Sequence, residues 1–137
     1  MKKQGMCLSL TLILGLLFGC EKLKVGTGEF HSVQLNECSD NKASTYICFD
    51  SLFTDSRCPA GAECVWQGTA LIRVTFHEEN TAHTFKLSLK GFPSLGYLAD
   101  TTVAGYKISF EKLEPYPSIK QGDSIDQIPK ATFLITH

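Results

Sequence analysis

Six cysteines and four histidines are the side chains of this 137-residue chain best suited to covalent or metal chemistry. The cysteines divide by position. Cys7 and Cys20 belong to an apolar leader, whereas Cys38, Cys58 and Cys64 lie in turn-rich sequence and Cys48 in a run that reads as a strand. An even set of four in an exported chain reads as two disulfides. Four cysteines allow three pairings. Proximity in sequence favours Cys38–Cys48 and Cys58–Cys64, and the chain-entropy account credits each small loop with about 2–3 kcal/mol. A four-cysteine zinc site is the rival, but zinc ribbons use close Cys-x-x-Cys knuckles. The gaps here are nine, nine and five residues. With both pairs oxidised, no thiolate is left to act as a nucleophile.

The histidines offer less. His77 and His83 flank a turn that contains Glu78 and Glu79, a set that invites a metal. Matching apolar faces pairs Phe76 with Phe85, Val74 with Leu87 and Ile72 with Leu89. His77 then falls opposite Thr84, and His83 faces the other side of the sheet. A one-residue slip that joined the two histidines would turn the apolar face outward, so no metal is expected. His31 and His137 stand alone in the sequence. There is no Gly-x-Ser-x-Gly elbow, and Ser56 has no histidine nearby. Gly26-Thr27-Gly28 lacks what must follow it in a phosphate-binding glycine motif. These absences lead us to expect no cofactor, no catalytic residue and no enzymatic activity.

The densest specification is Asp55 to Gly68, with Cys58, Pro59, Gly61, Cys64 and Trp66 between. Pro59 fixes one backbone torsion and Gly61 permits a positive one, so Cys58 to Cys64 can close a tight loop. Arg57 is placed to pair with Asp55 or to donate to nearby carbonyls through its rigid fork. Trp66 follows on the same side of an extended chain as Cys64, where its ring can cover the disulfide, and Gly68 leaves room beside it. Each residue has a structural use. The alternative use of Pro59 to Glu63 is as a rigid loop offered to a partner, which loses little entropy on binding.

The elements that must hold this knot are strands. Alternation of period two starts at Phe30, and no helical periodicity appears. Strands are expected over Phe30–Leu35, with Val33 and Leu35 inward, and over Tyr46–Phe53. In the second, Ile47, Phe49 and Phe53 take one face and Tyr46, Cys48 and Leu52 the other. A long strand Val65–His77 should leave the knot and form a hairpin with His83–Lys90. Gly91 to Gly96 is a loop around Pro93. A weak strand covers Tyr97–Val103, a firmer one contains Tyr106, Ile108 and Phe110, and Pro115 and Pro117 end it. Lys120 to Pro129 is polar and turn-rich, and Ala131–Thr136 is the last strand. About seven short strands with turns between them indicate an antiparallel β-sandwich or small barrel.

The chain start sets location. Lys2 and Lys3 precede an apolar run, Leu8 to Phe18, too short to span a bilayer and typical of a signal peptide. Leu17-Phe18-Gly19-Cys20 resembles a bacterial lipobox. That resemblance implies removal of residues 1–19, a diacylglycerol on the Cys20 sulfur and an acyl chain, such as palmitate, on the new amino terminus. Several chains on one residue anchor far better than one. Glu21, where an aspartate would resemble an inner-membrane retention signal, points to the outer membrane. Residues 20–29 then form a lipid-anchored tether, and 30–137 a single β domain. Lys2 and Lys3 leave with the leader, so 11 Lys and Arg face 14 Asp and Glu in the mature chain, a net charge of −3. With no basic stripe, nucleic acid is not an expected partner.

The block Asp55-Ser56-Arg57-Cys58-Pro59, with Cys64-Val65-Trp66 and Gly68, resembles a signature of small uncharacterised bacterial lipoproteins. The likeness extends to the alternating strands and to Pro115-Tyr116-Pro117, and so covers most of the mature domain. It implies the same fold and location and brings no catalytic residues. The expectation for function is a lipid-anchored, periplasmic accessory or binding lipoprotein. It would work through surface contacts, with Phe92, Tyr97 and Tyr116 as candidate exposed aromatics. One alternative is an inhibitor of a lysozyme-type hydrolase that inserts the Cys58–Cys64 loop, by fold-level analogy. The other is an enzyme of unrecognised type.

Overall fold

Period-two sequence with one apolar face can satisfy its backbone only in sheets whose apolar faces meet. The computed structural model, which describes residues 27–40, 42–66, 68–92, 96–120 and 127–137, shows two such sheets and no helix among those residues. The leader, Cys20, the tether as far as residue 26, Pro93 and residues 121–126 lie outside the described residues. The strands are β1 (Glu29–Gln34), β2 (Glu37–Cys38), β3 (Thr45–Asp55), β4 (Ala70–Glu78), β5 (Thr81–Ser88), β6 (Asp100–Val103), β7 (Tyr106–Glu114) and β8 (Lys130–Thr136). One antiparallel sheet has the order β1-β8-β7-β6, the other β2-β3-β4-β5. The fold is an antiparallel sandwich.

Val33, Ile108, Phe110, Leu113, Ala131 and Phe133 from the first sheet meet Ile47, Phe49, Ile72, Val74, Phe76 and Leu87 from the second. Along β7 and β8 these side chains alternate with less buried neighbours, as a sheet with one wet face requires, whereas Cys48 between Ile47 and Phe49, and Leu71 beside Ile72, are buried as well. Among the described residues the buried apolar side chains run from Val33 to Phe133.

Three details of register differ from expectation. The β4–β5 hairpin turns in two residues, Glu79 and Asn80, because Glu78 pairs directly with Thr81. Glu79 takes a positive φ of 50° there, and its N–H donates to the Ser44 carbonyl. Phe76 therefore faces His83, Val74 faces Phe85 and Ile72 faces Leu87. The shift from the expected pairing is two residues, so every side chain keeps its face. His77 lies opposite Ala82 rather than Thr84.

The second difference lies in β3, whose ladder slips between Phe49 and Ser51 and again between Leu52 and Thr54. Each extra residue reverses the alternation. Leu52 accordingly packs against the core and Phe53 is turned outward, 47% exposed, the reverse of the expected faces. Thirdly, β4 starts at Ala70 rather than Val65. Val65 is 99% exposed and lies outside the ladder.

Candidate functional site

The knot is built from its own loop outward. Cys58 and Cys64 are joined, as are Cys38 and Cys48, so both favoured pairings are present. Cys38 and Cys48 are direct cross-strand partners on β2 and β3, whereas Cys58–Cys64 closes a loop. Within that loop the Ala62 N–H donates to the Pro59 carbonyl at 3.0 Å, and Gly61 takes φ +86°. A residue with a Cβ would be strained there. The loop also pairs with the chain after β7. The Ala60 N–H donates to the Pro117 carbonyl at 2.8 Å, and Ala60 and Ser118 form an isolated parallel bridge.

Arg57 fastens this pole of the sandwich. Its Nε and Nη2 donate side by side to Asp55 Oδ1 and Oδ2, at 2.8 and 2.6 Å. Its Nη1 donates to the Leu113 carbonyl at 2.7 Å, and Nη2 also to the Pro115 carbonyl at 2.9 Å. The residue is buried, and the Tyr116 ring lies across its guanidinium, 4.8 Å from Cζ to centroid. Both expected roles are filled by one side chain: a pair with Asp55 and donation to carbonyls. Those carbonyls belong to β7 and its exit, so Arg57 links the end of β3 in one sheet to the end of β7 in the other. A planar fork suits this use better than an ammonium does.

Gly68 has a different role from the one its spacing indicated. A Cβ there would lie 1.6 Å from the Ser56 carbonyl oxygen, so glycine lets two backbone segments cross. Ser56 and Thr69 then complete the crossing. The Ser56 N–H and hydroxyl both donate to the Thr69 carbonyl, and the Thr69 N–H donates to Ser56 Oγ.

Trp66 is 61% exposed and lines the same hollow as the Cys58–Cys64 disulfide. Together with Val65, Leu89, Lys90 and Tyr116 it lines a concavity of about 530 Å³ whose floor includes Arg57 and the Cys58–Cys64 bridge. Tyr116 is 54% exposed and Ile119 60%, and the Ile119 side chain lies against Gly61. Four large apolar or aromatic side chains (Val65, Trp66, Tyr116, Ile119) thus stand open around one rigid loop. Tyr116 and Ile119 reach it from a segment some fifty residues later, a convergence visible only in the folded chain. Of the other expected aromatics, Phe92 and Tyr97 are half-buried and bridge each other across their own loop.

At the opposite pole, Glu29, His31, Asp40, Tyr106 and His137 surround the mouth between the sheets, with Thr27 beside them. His31 Nε2 is 3.8 Å from Glu29 Oε2, and the His137 ring lies 4.6 Å from that of Tyr106. His77 is stacked on Tyr46 at 4.4 Å, with the rings 8° from parallel. Among the described residues no three His, Cys, Asp or Glu side chains come together as a metal-ligand group.

No family model, curated protein or solved structure matches the chain.

Proposed function

We propose that the chain is a lipid-anchored periplasmic binding protein of the outer membrane, acting through surface contacts and not through catalysis. On this reading Cys20 carries the lipid and the knot pole receives a protein partner. The observation that carries the proposal is the open cluster of Val65, Trp66, Tyr116 and Ile119. Large aromatics left in water cost solubility unless something covers them, and aromatic residues concentrate at protein contacts. Arg57, the disulfide and the Ala60–Ser118 bridge hold the loop in place, so little entropy remains to be lost on docking.

A hydrolase inhibitor is the second reading, since the loop between Cys58 and Cys64 is rigid and exposed. A glycosidase cleft presents a pair of carboxylic groups. The loop interior, Pro59-Ala60-Gly61-Ala62-Glu63, offers no side-chain donor or cation to meet them. The aromatic face is the better supported contact.

The test is crosslinking of partners in periplasmic extract by the chain from residue 20 with Cys20→Ala. Trp66→Ser with Val65→Ser should abolish capture, and Phe30→Ser, exposed on β1, should leave it intact. Equal capture by all three forms removes the knot pole from consideration. Mass measurement of the membrane-bound protein tests the anchor separately. A Cys20→Ala chain should lose the acyl mass and leave the membrane fraction.

A further inference from the structure

The two bulges of β3 place Phe53 on the outer face of the β2-β3-β4-β5 sheet, with its ring 47% exposed. Two cations lie against it. Arg73 Cζ is 5.6 Å from the ring centroid and Lys86 Nζ 4.8 Å. Arg73 and Lys86 are direct cross-strand partners on β4 and β5, both exposed. Like charges placed opposite each other destabilise a sheet. Among the described residues, neither cation has a carboxylate within ion-pair distance. Asp50, from the same strand as Phe53, accepts from the Thr75 hydroxyl at 2.7 Å and forms no ion pair with either cation. The ring faces attract both cations weakly but do not neutralise them.

We propose that Phe53, Arg73 and Lys86 form a binding site for a phosphomonoester. Two adjacent cations call for a dianion, and a phosphate monoester carries nearly two negative charges near neutral pH. Its oxygens suit the fork of an arginine and the point charge of a lysine together. The open part of the Phe53 ring meets the organic part of the ester. This site lies on a sheet face, shares no residue with the cluster of Val65, Trp66, Tyr116 and Ile119, and stands or falls independently of the protein contact proposed there.

The test is a nuclear magnetic resonance titration of the chain from residue 20 with Cys20→Ala, at low ionic strength. The probes are phenyl phosphate, inorganic phosphate and benzoate. Phenyl phosphate should shift the Phe53 ring, Arg73 Nε–H and Lys86 signals saturably, and bind more tightly than either other probe. Arg73→Gln or Lys86→Gln should each weaken binding about fivefold, and both together at least about tenfold. Either substitution removes a like-charge pair, so the unliganded variants should melt no lower than the parent. Equal affinity in the double variant, shifts centred elsewhere, or benzoate binding as well as phenyl phosphate each overturns the site.

Vesicles of phosphatidic acid, a lipid phosphomonoester, and of phosphatidylcholine distinguish the source. Sedimentation with the first alone, lost in the double variant, assigns a headgroup; phenyl phosphate binding without sedimentation assigns a soluble ester. Either result upholds the site, and binding in neither arm rejects it.

Discussion

Four of the five N–H donors of Arg57 are used at once, two on the Asp55 carboxylate and one each on the carbonyls of Leu113 and Pro115. A guanidinium this buried is tolerable only because its charge and its hydrogens are both answered. Arg57→Lys keeps the charge but cannot span Asp55 and both carbonyls. It should lower stability by about 2–4 kcal/mol, and Asp55→Asn, which leaves the cation unpaired, by about 3 kcal/mol. Urea unfolding of the two variants checks this, and losses under about 1 kcal/mol in both would show the fork to be dispensable.

A second residue-scale effect is exposed and therefore small. The Lys112 ammonium donates to Glu114 at 2.7 Å and, with its charge, holds that carboxyl below the usual carboxylate range; Lys130 adds to this and desolvation opposes it. A depressed folded pKa stabilises the fold above the unfolded value and is lost as pH falls through the folded one. Lys112→Gln should therefore be slightly less stable than the parent at neutral pH. The difference should vanish in acid below the ordinary carboxylate range, as melting curves at several pH values would read.

At the scale of elements, glycine positions separate backbone crossing from backbone torsion. Gly68→Ala sets a methyl 1.6 Å from the Ser56 carbonyl oxygen, whereas Gly96, at φ +72°, has nothing within 4 Å of its Cβ position among the described residues. The first change should cost at least about 3 kcal/mol and the second only about 1–2 kcal/mol. Replacing Cys58 and Cys64 together by serine should cost about 2–3 kcal/mol by loop entropy. Arg57 still braces the pole in that variant, so its unfolding should stay a single transition. Two resolved transitions would show that the bridge, and not Arg57, joins knot to sandwich.

The same elements show what could be read beforehand. Period-two runs located β3, β4, β5, β7 and β8, because burial on one face leaves a direct mark on composition. The cysteine pairs were legible because short loops close cheaply. Bulges leave no such mark, so the exchange of Leu52 and Phe53 between faces was hidden. The hairpin length was hidden too, since apolar matching is satisfied equally by registers two residues apart. The site was legible in part. Asp55 and Arg57 are neighbours in sequence, but Leu113, Pro115 and Tyr116 reach Arg57 only through the pairing of whole sheets.

For the whole molecule, strand direction decides what the knot can touch. Gly28 lies against Leu134 and Thr136 at the end of β8, and Thr27 lines the mouth beside Tyr106 and His137. The chain thus enters the domain at the pole where β7 begins, and Arg57 holds the knot where β7 ends. Nine residues of strand separate the two poles by about 27 Å. On the lipid-anchored reading, the seven steps from Cys20 to Thr27 reach at most about 25 Å when fully extended. With the domain standing on its tether pole this reach falls short of the knot, which then stands clear of the bilayer and meets it only if the domain lies flat. Trp66 is the single tryptophan of the chain and lies at the knot, so its fluorescence reports that pole alone. In lipidated protein on vesicles it should be quenched by aqueous acrylamide and left untouched by brominated lipids. Quenching by the lipids would instead place the aromatic face on the protein's own membrane, and the partner sought for it would then be lipid.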